Sequence, residues 1–136
     1  ESFFQCQIPH SWREGSLIYP HVHWIPKTNG ALNATVSWGL EYTWQSVGGV
    51  FGNTTIIYAD EQLPADATLV ADRHYLTSLP TIDGTGQTIS SMLCCRVFRD
   101  ATSTGGTDNY NDDVGLLEID FHFQKDALGS VSELVK

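Results

Sequence analysis

Residues 15–24, GSLIYPHVHW, decide the fold that we expect for this chain. Apolar and polar side chains alternate along the stretch, which is typical of a β-strand with one buried face. Two histidines two residues apart on a strand project from the same face, about 6–7 Å apart. Such a pair can build a metal site, a pH-sensitive contact or a polar seam between subunits. The predicted strand carries Ile18, Val22 and Trp24 on one face and Tyr19, His21 and His23 on the other.

The same alternation recurs outward from this stretch. Residues 34–45 place five large apolar side chains at alternate positions, and no helix would bring those five to one face. Residues 114–124 repeat the pattern with Leu117, Ile119, Phe121 and Phe123. Because turn signals separate the segments at short intervals and no helical pattern occurs, we expect an all-β, jelly-roll-like β-sandwich of about eight antiparallel strands. The predicted strands are 2–8, 16–25, 34–45, 54–59, 67–79, 88–99 and 114–124, with a short element in the tail.

The length of 136 residues, 41% of them hydrophobic, predicts a single β-sandwich domain over residues 1–136. No apolar run reaches the roughly 20 residues that a membrane span needs, so we expect no membrane partner. Because the chain opens at Glu1 within a predicted strand, we expect a processed form or the C-terminal part of a longer chain. Three irregularly spaced cysteines predict free thiols and assembly in a reducing cytoplasm.

The charge balance narrows the class of partner. The chain has 16 acidic and 7 basic residues and a formal net charge of −9. Nucleic-acid binding depends on neutralising phosphates with Lys and Arg. We therefore expect no nucleic-acid partner.

A metal site is one interpretation of the histidines. Gly15 followed after five residues by His21-Val-His23 reproduces the opening of the cupin metal motif, in which a Glu follows a few positions later. Lys27 and Thr28 stand where that Glu should be, and an ammonium group would repel a cation. We therefore expect no metal and no cofactor, and a cupin-like metalloprotein stays an alternative. Its ligands would be His21, His23, Glu41 and His122.

A seam between subunits is the second interpretation. If the central strand lies beside the last strand, the two histidines face the polar side of residues 114–124. Cross-strand pairs of opposite charge contribute about 0.2–1 kcal/mol each. A solvated polar sheet face is the simpler alternative. The seam would comprise His21, His23, Glu118, Asp120 and His122.

The sequence predicts no catalytic residues. Ser90 and Ser91 lie in a predicted strand without the Gly-x-Ser-x-Gly turn that exposes a nucleophile. Acidic residues are common in this chain, so the spacing of carboxylate pairs such as Asp60 and Glu61 does not identify a catalytic site. Most aromatic side chains fall on inward faces, as core packing requires. Trp12 and Tyr110 lie in predicted loops, so they are the candidates for contact with a glycan or receptor.

Four segments resemble a family of β-rich proteins encoded among the structural genes of tailed bacteriophages. They are IPHSWREGS with PHVHW (8–24), WGLEYTW (38–44), ISSMLCCRVFRDA (89–101) and LLEIDFHFQ (116–124), and they span nearly the whole chain. The resemblance implies a non-enzymatic virion component, such as a capsid decoration, head fibre or tail fibre domain. It also implies a homotrimer that contacts other virion proteins and is assembled in the host cytoplasm. A carbohydrate- or receptor-binding module that recognises a host-surface glycan is a further alternative.

Overall fold

The computed structural model describes residues 1–61, 63–64 and 66–136. Within these ranges the chain forms seven strands and no helix, so no described helix is long and apolar enough to cross a membrane. The expectation of an all-β chain is confirmed, with seven strands where about eight were expected. The strands are β1 (Ser2–Gln7), β2 (Ile18–Pro26), β3 (Ser37–Gln45), β4 (Thr55–Asp60), β5 (Tyr75–Ser78), β6 (Met92–Arg99) and β7 (Val114–Phe123).

The strands form two antiparallel sheets, as in a β-sandwich. The large sheet has the order β1-β6-β3-β4 and the small sheet has the order β5-β2-β7. The predicted strand 67–79 shrinks to β5, and residues 126–136 form no strand. The segment that decided the fold, β2, is the central strand of the small sheet and pairs with β5 on one side and β7 on the other.

The core lies between the sheets and is built from the faces that the alternation predicts. Every second residue of β2 from Ile18 to Pro26 is buried. On β3, Trp38, Leu40 and Trp44 are buried against them. Burying an apolar side chain of this size is worth about 1.5–3 kcal/mol relative to exposing it. The inward faces therefore account for most of what holds the two sheets together.

The pairing of β7 with β2 departs from simple alternation at one point. The register shifts between His23 and Trp24, which pair with Glu118 and Leu116. The extra residue, Leu117, is 54% exposed, whereas Ile119 and Phe121 pack against the core. The prediction that Leu117 shares the core face is wrong because a bulge changes which side of the strand a residue occupies.

The loop between β6 and β7 is anchored to the sandwich. Arg99 donates two hydrogen bonds to Asp108, whose side chain is 2% exposed. Asp100 accepts hydrogen bonds from the backbone N–H groups of Thr104, Gly105 and Gly106. Burial acts to raise the pKa of Asp100, but these donors together outweigh it and lower the pKa. Two buried acidic side chains therefore anchor this loop through hydrogen bonds.

Candidate functional site

The outer face of the small sheet, formed by the outward side chains of β2, β5 and β7, collects most of the chain's histidines. Strand pairing places His21 opposite Asp120, His23 opposite Glu118 and Tyr19 opposite His122. This is the neighbourhood that the sequence predicted if the central strand lay beside the last one. The face forms because residues directly opposite on antiparallel strands point to the same side of the sheet.

Asp120 lies at the centre of this group. Its carboxylate oxygens are 3.1 Å from His122 Nε2, 3.5 Å from His21 Nδ1 and 3.7 Å from His23 Nε2. The rings of His21 and His122 meet edge to face with centroids 4.7 Å apart. One carboxylate therefore lies within 3.7 Å of a ring nitrogen of each of three imidazoles. This arrangement can share protons among its members or hold a cation.

His74 extends the group, and the sequence did not predict its place there. It lies just before β5, and its Nε2 is 2.7 Å from His23 Nδ1. The spacing of His74, Leu76 and Ser78 was the available signal, because alternate residues of a strand share a face. That signal was insufficient, since the sequence did not show that β5 pairs with β2.

Two atoms at the centre of this face are buried without a hydrogen bond. They are His21 Nδ1 and Asp120 Oδ1, which face each other at 3.5 Å and have no hydrogen-bond partner among the described residues. Native proteins pair nearly all buried polar atoms, and an unpaired one costs about 1–3 kcal/mol. Of the six such atoms among the described residues, these two face each other, and a proton or a cation between them would pair both.

The proposed fourth ligand of a cupin-like site, Glu41, lies elsewhere. It is on β3 in the large sheet, where it accepts hydrogen bonds from Arg96 and Thr54. Hydrogen bonds from Thr54 and then Arg96 lower the pKa of Glu41. Outward residues of the two sheets point away from each other across a core about 10 Å thick. The set His21, His23, Glu41 and His122 is therefore wrong, and Asp120 is the carboxylate that accompanies the histidines.

The two aromatic residues expected to contact a ligand are buried. Trp12 is fully buried and packs on Trp44 with ring centroids 5.4 Å apart. Tyr110 is 5% exposed, and its hydroxyl donates to the Thr28 carbonyl. Both residues lie in loops, as predicted, but their rings are part of the buried core cluster. Neither ring is available as a stacking platform for a sugar, so that prediction is wrong.

A serine and a histidine also meet outside the small sheet. Ser90 Oγ is 2.7 Å from His10 Nε2, and Ser90 has a positive φ of 60°. His10 Nδ1 contacts the hydroxyl of Ser130. Ser90 is 6% exposed and donates to the carbonyl of Glu133, so the chain's own tail covers it. A nucleophile needs access to its substrate, and the geometry here is that of a bridge between two loops and the tail.

Comparison of the chain with models of protein families, with curated proteins and with solved structures finds no match in any of the three.

Proposed function

We propose that this chain is a structural module of a bacteriophage virion, a capsid decoration, head fibre or tail fibre domain that assembles as a homotrimer and has no enzymatic activity. The observation that carries the proposal is the composition of the outer face of the small sheet. His21 and His23 are half-buried in the single chain, His74 and His122 are exposed, and Tyr19 and Leu76 beside them are 38% and 46% exposed. Such a face suits contact with further copies of the chain.

The charges of this face also suit self-association. The chain as a whole is strongly acidic, so most contacts between copies would bring like charges together. The outer face of the small sheet instead interleaves the acidic Glu118 and Asp120 with His21, His23 and His122. Closed symmetric oligomers are the commonest soluble assemblies, and the resemblance to phage structural proteins implies three copies.

We further infer jelly-roll connectivity for the sandwich. The pairs β3–β4, β2–β5 and β1–β6 are nested, each enclosing the previous one in sequence, and they alternate between the two sheets. A jelly roll is a ribbon of nested antiparallel pairs wound in this way, and viral capsid domains use it. By analogy of fold, this connectivity supports a virion role.

Light scattering during size exclusion tests the assembly. At about 100 µM the mass of the eluted species should be three times the 15.0 kDa of one chain. Leu76→Glu should give a monomer, because it adds a charge to the outer face of the small sheet, opposite His23 of the proposed seam. Val50→Glu is the matched control, since Val50 is 89% exposed in the loop between β3 and β4 and should leave the trimer intact. A monomeric wild-type chain would contradict the proposed assembly.

Analysis of purified virions tests whether the chain is part of the phage particle. Virions purified by density gradient from the phage whose genome encodes this chain should contain it at a fixed copy number by quantitative mass spectrometry. Its presence only in the lysate and never in the particles would overturn the virion assignment. This measurement is independent of the number of copies in the oligomer.

A further inference from the structure

We propose that His21, Asp120 and His122 bind one divalent first-row transition-metal ion, with Zn²⁺ as the representative ion. One ligand atom from each residue lies within 4.8 Å of the other two. The ligands come from two paired strands, with His21 directly opposite Asp120 and His122 two residues further along β7. The backbone pairing thus holds all three side chains on one face of the small sheet.

Two of the separations match those that a bound ion requires, and each runs to a different oxygen of Asp120. Zinc binds nitrogen and carboxylate oxygen at about 2.0–2.2 Å, so ligand atoms around one ion lie roughly 3.0–3.6 Å apart. His122 Nε2 and Asp120 Oδ2 are 3.1 Å apart, and His21 Nδ1 and Asp120 Oδ1 are 3.5 Å apart. Binding would draw together three ligand atoms that already lie within 4.8 Å of one another.

The unpaired buried atoms support a cation at this position. His21 Nδ1 and Asp120 Oδ1 both lack a hydrogen bond within the described chain, and both are among the atoms that would face the ion. A metal ion would satisfy a lone pair on each atom at once. A proton shared by the two is the competing explanation, and it accounts for only one contact, whereas the metal also engages His122.

The donor set selects the kind of ion. Two imidazole nitrogens with one carboxylate suit Zn²⁺, Fe²⁺, Ni²⁺ or Cu²⁺, whereas Ca²⁺ and Mg²⁺ prefer oxygen ligands throughout. Three protein ligands leave at least one coordination position for water or another group. The side chain of His122 is 68% exposed in the single chain, so an ion can reach the site from that side before another copy covers the face.

The neighbouring residues orient the ligands. His23 Nε2 lies 3.7 Å from Asp120 Oδ2, and His23 Nδ1 is 2.7 Å from His74 Nε2. Such outer contacts fix ligand orientation in metal sites, and their removal lowers metal affinity by about 10–100-fold. His74 is therefore a positioning residue: His74→Ala should weaken binding by less than removal of a ligand does.

Isothermal titration with Zn²⁺ at neutral pH tests the proposal, using the chain freed of any histidine tag. We expect one ion per chain, and we expect Co²⁺ in place of Zn²⁺ to give visible d–d absorption. His122→Ala and Asp120→Asn should each weaken binding at least tenfold. His10→Gln is the matched control, because it removes a histidine that contacts Ser90 and Ser130, away from the small sheet, and binding should be unchanged.

Some outcomes would overturn the proposal. One is the absence of stoichiometric binding by the wild-type chain up to about 100 µM Zn²⁺. Another is equal affinity of the wild type and His122→Ala. Circular dichroism of each variant separates loss of the site from loss of the fold, and His122 is exposed enough that its variant should fold. Because stoichiometry is measured per chain, a monomer that binds zinc would support this site even if the trimer proposal failed.

Discussion

Trp24 donates its indole Nε1–H to Thr77 Oγ1 across 2.9 Å in the interior of the sandwich. Thr77 in turn donates its hydroxyl proton to Glu61 Oε2. The chain of donors links the central strand β2, the short strand β5 and the segment that follows β4. A buried tryptophan thus has its polar atom satisfied through one threonine that is itself 2% exposed.

Replacement of Thr77 should lower the free energy of unfolding, although the side chain is small. Thr77→Val keeps the shape but leaves Trp24 Nε1 and the Glu61 carboxylate without this partner, so the free energy of unfolding should fall by about 1–3 kcal/mol. Denaturant unfolding measures the loss. Thr77→Ser should recover most of it, since the hydroxyl returns. Thr81→Val, at an exposed position, should stay within about 0.5 kcal/mol of wild type; equal effects at both sites would contradict the role of the hydrogen bonds.

The contribution of Glu61 to the free energy of unfolding should decrease as pH rises through the weakly acidic range. Burial raises the pKa of Glu61, and the hydrogen bond from Thr77, together with the nearby indole of Trp24, offsets only part of that effect. The folded state therefore holds this proton to higher pH than the unfolded state, whose glutamate pKa is about 4.3. Its contribution is fully present below the unfolded pKa and is lost as pH rises through the folded pKa.

Comparison with Glu61→Gln isolates this contribution from that of other acidic groups. The difference in unfolding free energy between variant and wild type should move in favour of the variant as pH rises from about 4 to 7, because glutamine does not ionise. Urea unfolding at several pH values measures it. Parallel curves for the two proteins across that range would show that Glu61 does not titrate as described.

The cysteines should differ sharply in reactivity. All three are free, with Cys95 buried and Cys94 partly exposed beside it on β6. Burial, followed by the nearby Cys6 and Cys94, raises the pKa of Cys95 far above its ordinary value, so this thiol stays protonated. With iodoacetamide at pH 8, peptide mass spectrometry should show Cys94 modified first and Cys95 protected. In guanidinium the two should react alike, and fast native labelling of Cys95 would refute its burial.

Gly39 should resist substitution because a ring covers it. A Cβ placed on Gly39 would lie 2.3 Å from Cζ of Phe98, its cross-strand partner on β6. Phe98 is held edge to face against Tyr58 and lies beneath the Arg96 guanidinium. Gly39→Ala should therefore reduce the unfolding free energy by about 1–3 kcal/mol, as overpacking does.

A double-mutant cycle checks the cause of that loss. In a Phe98→Ala background the same Gly39→Ala change should cost much less, because the obstructing ring is gone and alanine is favoured over glycine within a strand. Thermal or denaturant unfolding of the four proteins gives the coupling. Additive effects would show that Phe98 is not the obstacle.

The positions that sequence predicted well are those governed by local alternation. Because successive side chains of a strand point to opposite faces, the pattern of β2 identified its buried side and its histidine side without knowledge of any neighbour. The pairing of β2 with β7 was also within reach, as a conditional prediction from jelly-roll geometry. The all-β class followed from the number of such segments and the turns between them.

Contacts between segments that are distant in sequence could be identified only from the folded chain. Trp12 and Tyr110 lie in loops, and only the path of those loops decides that their rings are buried. Glu41 is correctly oriented outward, but only the assignment of β3 to the large sheet separates it from the histidines. His74 joins them through the pairing of β5 with β2.

The sequence by itself thus determined which faces of β2 and β3, and of β7 beyond its bulge, are buried, because that depends on a period of two residues along one chain. The tertiary structure alone decided which faces meet, because strand order and register join residues up to about a hundred positions apart, such as His21 and Asp120. Local patterns carry no information about such distances. The site at Asp120 is therefore a product of strand pairing, although each of its side chains could be placed on the correct face beforehand.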